Sequence, residues 1–203
     1  MTQVSLCVLL DANVIIEAHA CGAWAYLREQ VILIVPSTVL AEATHYVERE
    51  TGMRVEIHLQ QTVQQGQIRE VSASAEQLAA LLGRFDPVFI QRMDPGEAEA
   101  LALLLAGELG ELTGCFFCSA DGPAIRALNL LSMPERGISL ESLLRRAGLE
   151  RRLARPFDER FFREMHARGA EEFIRGEGLR CQPSASKPTR RKPGRSGKPG
   201  RKR

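Results

Sequence analysis

The chain has 203 residues, 44% hydrophobic and 26% charged, enough for one ordinary domain with an appendage and too few for two well-filled cores. Its formal charge of +2 conceals a division: nine Lys or Arg and no acid stand from Gln182 onward, which leaves residues 1–181 at −7. No apolar stretch reaches the roughly 18 residues of a membrane span, because the Leu101 region is broken by Glu97, Glu99 and Glu108, so a soluble protein is expected.

The five cysteines, Cys7, Cys21, Cys115, Cys118 and Cys181, are odd in number and follow no leader-like segment. A reduced, cytoplasmic protein is therefore expected. Cys115-Phe116-Phe117-Cys118 has no second pair or spaced histidines to make a zinc site, and the two Phe point to a buried strand.

Residues 4–10 form a nearly unbroken apolar run ending at Asp11, the pattern of a strand buried on both faces. A helix is expected from Asn13 to about Arg28, with Ile16, Trp24 and Leu27 on its inner face. Residues 31–35 read as a second buried strand closed by Pro36, which cannot continue a central ladder. Ser37 is expected to cap a helix running through Glu42. Between Thr51 and Ser72 the pattern weakens, and residues 55–59 fit a strand or a helix.

Ser74 caps a predicted helix over residues 75–82, with Gln77 in the capping-box position. Asp94-Pro95-Gly96-Glu97 opens another, whose interior is the Ala/Leu run to Ala106. Residues 115–118 are a strand, followed after Asp121 by a short helix over 123–130. A short edge strand at 137–139 leads into residues 140–148, and a last helix over 158–175 is stopped by Gly176 and Gly178.

Strands alternating with helices imply right-handed crossovers and an α/β fold: three layers, α/β/α, around a central parallel sheet. The expected divisions are a domain over 1–150, a helical extension over 151–181, and a tail over 182–203. That tail of Lys, Arg, Pro, Gly and Ser has almost nothing apolar to bury, so disorder is expected there.

Chemistry concentrates in the acids. Asp11 and Asp121 each follow an apolar strand, where open α/β sheets place their ligands, and Glu42 and Glu97 or Glu99 sit on helices beside them. Gathered carboxylates repel one another, and a divalent cation between them is the cheapest way to keep all of them ionised. Oxygen ligands suit Mg²⁺ or Mn²⁺. Glu97 and Glu99 lie about 200° apart on a helix, so they cannot face the same point.

Four segments in this order, Leu9-Leu10-Asp11-Ala12-Asn13, residues 35–42, Gly96-Glu97-Ala98-Glu99-Ala100 and Cys118-Ser119-Ala120-Asp121, resemble the PIN domain family of Mg²⁺- or Mn²⁺-dependent ribonucleases. The resemblance covers residues 4–148. It implies a metal held by Asp11, Glu97 and Asp121, with Glu42 completing the catalytic acids. Asn13 is an alternative to Glu42 for closing the ring, Glu99 an alternative third acid to Glu97, and Ser119 stands where the family often has Ser or Thr. The implied reaction is hydrolysis of RNA without a covalent enzyme intermediate. Because the family includes toxins of toxin–antitoxin pairs, an antitoxin partner and a homodimer are also implied. One departure is the segment 107–114, which is longer than the family pattern.

The tail residues Arg190, Arg191 and Lys192 are candidate contacts to RNA phosphates, salt-sensitive and without aromatic residues for base stacking. His45 is a candidate to approach the substrate from beside Glu42. Two other classes compete: a non-catalytic PIN-like module that binds RNA or a protein, and an aspartyl-phosphate receiver, disfavoured because no Lys follows a late strand.

Overall fold

The computed structural model of the chain describes residues 6–107 and 114–180. Its elements run β1 (Cys7–Leu10), α1 (Ala12–Ala20), α2 (Trp24–Gln30), β2 (Ile32–Pro36), α3 (Ser37–Glu42), β3 (His45–Val47), β4 (Arg54–Glu56), α4 (Leu59–Gln64), β5 (Arg69–Val71), α5 (Ala75–Leu82), α6 (Pro87–Ile90) and α7 (Pro95–Ala106). There follow β6 (Phe116–Cys118), α8 (Gly122–Leu130), a 3₁₀ turn (Pro134–Arg136), β7 (Gly137–Ile138), α9 (Leu140–Arg146) and α10 (Glu159–Arg175).

Five strands form one parallel sheet in the order β5-β2-β1-β6-β7, and β3 pairs antiparallel with β4 as a separate hairpin. The two-residue period of a strand sends alternate side chains to opposite faces. Along β1, Val8 and Leu10 enter one core while Cys7 and Leu9 enter the other; along β2, Leu33 and Val35 join the first and Ile34 the second. Ile15, Trp24, Leu27 and Leu143 close the first core, and Leu81, Phe85, Leu101 and Leu128 the second. The fold is thus the three-layer α/β/α architecture expected. Burying such side chains contributes roughly 1.5–3 kcal/mol each.

β1 lies in the middle of the sheet because the chain first builds outward through β2 and β5, then returns to its other side with β6 and β7. The connections leaving β1 and β6 therefore run in opposite directions. This makes a topological switch point, the place where open sheets leave a crevice at the carboxyl ends of their strands.

Local signals set several boundaries as expected. Ser74 accepts from the Gln77 N–H at 3.2 Å and the Gln77 side chain accepts from the Ser74 N–H at 2.7 Å, closing the capping box. Other boundaries differ. The helix expected over 13–28 is two, α1 and α2, separated at Gly22, whose φ of 70° ends the first in the left-handed region open to glycine. Ser37 is the first residue of α3 rather than its cap; its hydroxyl instead bonds Glu70 at 2.7 Å and Ser72 at 2.5 Å. Residues 54–56 are strand, and a helix starts at Leu59. α3 stops at Glu42, so His45 opens β3 instead of continuing a helix; its Nδ1 lies 3.0 Å from Thr44 Oγ1 and 3.2 Å from Arg54.

α10 starts on an Asp158 cap that accepts from the Phe161 N–H at 2.8 Å and ends at Gly176. It buries Met165 and Gly169 against α8. A Cβ at Gly169 would stand 2.8 Å from both the Cα and the carbonyl oxygen of Arg126, main-chain atoms that cannot rotate aside. Gly169→Ala is expected to push α10 off α8 and cost about 1–3 kcal/mol, read as a lower urea midpoint; an unchanged midpoint would contradict this packing. Among the described residues, no helix is long and apolar enough to cross a membrane.

Candidate functional site

The switch point gathers Asp11 and Asp121 through Ser119. Asp11 follows β1 directly, is 4% exposed and caps α1, its Oδ1 accepting from the Ala12 N–H at 2.7 Å. Its own N–H donates to the Cys118 carbonyl at 3.1 Å, an extension of the β1–β6 ladder. The buried Ser119 hydroxyl donates to Asp11 Oδ2 at 3.2 Å and accepts from the Asp121 N–H at 3.0 Å. Asp121 is half-buried and caps α8. One hydroxyl thus ties the ends of two neighbouring strands, which sets the spacing of their carboxylates.

α7 brings the third acid. Glu97, in its first turn, is 2% exposed and accepts from the Asp94 N–H at 3.2 Å. Burial, then the charges of Asp121 and Asp11, pushes its carboxyl up to about 9. Asp11 is pushed up to about 6, by burial first and by Asp121 and Glu42 after the opposing hydrogen bonds. Asp121 is also raised, by burial and by Asp94, with Arg126 acting against this. Each shift has the same origin: too few counter-charges for carboxyls held together out of water.

Glu42, the exposed last residue of α3, comes alongside because Gly96 has no side chain. A Cβ there would stand 2.8 Å from Val39 Cγ2 and 3.0 Å from Glu42 Oε2. Desolvation, then Asp94 and Glu99, raises the Glu42 carboxyl. Asp94 is a member of this group that the sequence pattern presents only as a helix opener. Its position before Pro-Gly-Glu is a signal in hindsight, since a residue preceding a helix is held beside the acids of that helix's first turn.

Glu99 faces elsewhere, as its angular offset requires. Its Oε2 accepts from the Thr38 N–H at 2.9 Å and its Oε1 from the Ala73 N–H at 3.0 Å, so one buried carboxylate holds the start of α3 and the segment after β5. Gln has one acceptor oxygen, and its NH₂ would meet the second N–H donor to donor. Glu99→Gln is expected to lower stability by about 2–4 kcal/mol in a denaturant titration. A neutral result would exclude the clamp. Asn13 is exposed on the first turn of α1. Arg190, Arg191 and Lys192, the tail expected over 182–203, and most of the long 107–114 segment lie outside the described residues.

Among the described residues, Asp11, Glu42, Asp94, Glu97, Glu99 and Asp121 form no ion pair within 4.0 Å of an Arg or His. The first 186 residues contain no lysine, so among side chains of the domain only arginine or histidine, and otherwise a ligand cation, can neutralise the group. Arg126, the cation acting on Asp121, is itself paired with Glu172. A donor set of carboxylate and hydroxyl oxygens fits a hard divalent ion. Among the described residues, however, no three His, Cys, Asp or Glu side chains already stand at metal-ligating spacing. No protein-family model and no curated protein matches the chain.

Proposed function

We propose that the chain is a PIN-type, Mg²⁺- or Mn²⁺-dependent endoribonuclease in which Asp11, Glu97 and Asp121 hold the ion and Glu42 stands at the rim as a further catalytic acid. The observation that supports this most is that Asp11 and Asp121, at the ends of β1 and β6, lie near enough to Glu97, at the start of α7, to raise its carboxyl, without an ion-paired cation among the described residues. A bound divalent ion supplies Lewis-acid chemistry, making water a better nucleophile and neutralising charge that develops on a phosphodiester.

The protein's own part is positioning. Ser119 and the Ala12 N–H orient the two oxygens of Asp11, and the Asp94 N–H orients Glu97, so the acids are aimed before a substrate arrives. Glu42, exposed beside Gly96, is placed to meet a phosphodiester at the mouth of the site and to exchange a proton with it. The basic tail would add non-specific phosphate contacts that offset the acidic body.

A second reading has an observation of its own: Asp11 and Asp121 both serve as helix caps, a task that needs no ion. In that case the chain is a non-catalytic PIN-like module that binds RNA or a protein partner. Incubation of the full chain with single-stranded RNA in Mn²⁺, Mg²⁺ or EDTA separates the two. The nuclease reading requires metal-dependent fragments that Asp121→Asn removes. Undiminished RNA retention without fragments in any metal would establish the binding module instead.

A further inference from the structure

Two buried thiols meet at the centre of the sheet, on the side away from the carboxylates. The β1–β6 register sets Val8 beside Phe116 and Leu9 beside Phe117, so one step earlier Cys7 stands beside Cys115. Their sulfurs share a hydrogen bond at 3.0 Å although 108 positions separate them in the chain. Adjacent strands lie about 4.8 Å apart, within the roughly 4.4–6.8 Å Cα separation that a disulfide spans. Cys118 lies in the opposite core, and the Cys21 thiol is directed to the Ala18 carbonyl at 3.6 Å, so neither competes for this pairing.

We propose that Cys7 and Cys115 are an oxidative modification site, closing a reversible disulfide across β1 and β6 when the protein meets a peroxide. This inference stands on the sheet register and is independent of the nuclease reading.

The surroundings select both the oxidant and the order of events. Cys7 is 6% exposed and Cys115 1%, a degree of burial that favours an oxidant as small as hydrogen peroxide over a bulky disulfide donor. Arg69 acts on Cys7, and Arg136 donates to the Cys115 carbonyl at 3.5 Å, so arginines flank the thiol pair. The hydrogen bond with Cys115, then Arg69, holds the Cys7 thiol below its ordinary value despite burial, while the same bond and burial push Cys115 up. Cys7, the more exposed of the two and the one beside Arg69, is thus the sulfur oxidised first, and Cys115, 3.0 Å away, is the resolving thiol.

In the first step the Cys7 sulfur bonds one peroxide oxygen as the O–O bond breaks, and the departing hydroxide takes the proton Cys7 gave up, leaving as water. In the second, the Cys115 sulfur attacks Cys7; the S–S bond forms, the S–O bond breaks, and the hydroxyl leaves with the Cys115 proton as a second water. Two electrons pass from the sulfurs to one peroxide. A small thiol reductant restores both cysteines. The bond pins the amino ends of the two strands whose carboxyl ends carry Asp11 and Ser119.

The test is peptide mapping of the full native chain after hydrogen peroxide, with free thiols blocked by N-ethylmaleimide before a non-reducing digest. The expected product is a Cys7 peptide joined to a Cys115 peptide, lost on dithiothreitol treatment, with a melting temperature several degrees higher in the oxidised protein. Cys115→Ser should stop the reaction at a Cys7 sulfenic acid that dimedone traps. Recovery of both cysteines unlinked, or of Cys7 joined to Cys21, Cys118 or Cys181, overturns the proposal. The wild-type map decides this even if the variant fails to fold.

Discussion

Glu97→Gln is expected to stabilise the metal-free protein while removing the metal-dependent cleavage of RNA proposed above. The carboxyl at this position is buried among like charges and pushed from 4.5 up to about 9, so at pH 7 it is neutral when folded and ionised when unfolded. Unfolding therefore gains the free energy of releasing a proton at a pH well above the ordinary glutamate value. Gln never makes that gain. The difference has a ceiling of about 3 kcal/mol at pH 7, or roughly 6–12 °C in melting temperature for a chain of this size. The amide retains an acceptor for the Asp94 N–H and offers a donor to Asp121.

Cleavage should fall on the order of 10³-fold, equivalent to about 4 kcal/mol of barrier, because the neutral amide is a poor ligand for a hard ion. A more stable protein with lost activity is the signature of a functional site maintained at a cost to stability. Glu99→Gln, two residues along the same helix, should destabilise instead. If Glu97→Gln lowers the melting temperature as Glu99→Gln does, Glu97 is a structural residue and the site is wrongly drawn.

Stability of the metal-free chain should fall as pH rises, the reverse of ordinary acid denaturation. Asp11 and Glu97 both have raised folded values, so between their unfolded and folded values the native state binds more protons than the unfolded chain. Stability attributable to them is complete below the unfolded values, and it is lost through pH 4 to about 6 for Asp11 and through pH 4.5 to about 9 for Glu97. The slope is about −1.4 kcal/mol per pH unit for each group while its window is open. Asp121 and Glu42, also raised, act in the same direction.

A divalent cation competes with these protons, so Mn²⁺ or Mg²⁺ should raise the melting temperature more at pH 8.5 than at pH 6 and flatten the decline. Thermal scans across this range, in EDTA and in metal, measure both effects. Stability in EDTA that is level or increasing between pH 7 and 9 would mean that Glu97 is not held in the environment described.

The site was partly legible because an Asp after a strand, or a Glu opening a helix, is marked by its immediate neighbours. Asp11, Asp121 and Glu97 carry such marks. The choice between Glu97 and Glu99 did not, because the offset of about 200° says that the two differ without saying which faces the sheet. Asp94 carries no mark of its own, because an Asp before Pro at a helix start is sufficiently explained as a cap. The local pattern misplaces Ser37 for the same reason: its partners Glu70 and Ser72 lie more than thirty residues away and leave no trace beside it. The short strands β3 and β5 are illegible because three residues are too few to display an alternation.

Apolar runs closed by Asp or Pro, a capping box at Ser74 and helix stops at glycine determined by themselves that this chain is a layered α/β protein, since each depends on atoms within a few residues along the backbone. Packing alone decided that β1 occupies the middle of the sheet with β6 beside it. That adjacency joins Asp11 to Asp121 through Ser119 at one end and Cys7 to Cys115 at the other. Both meetings cross more than a hundred residues, and strand order is set by which faces can be buried together, a property of the whole chain rather than of any segment.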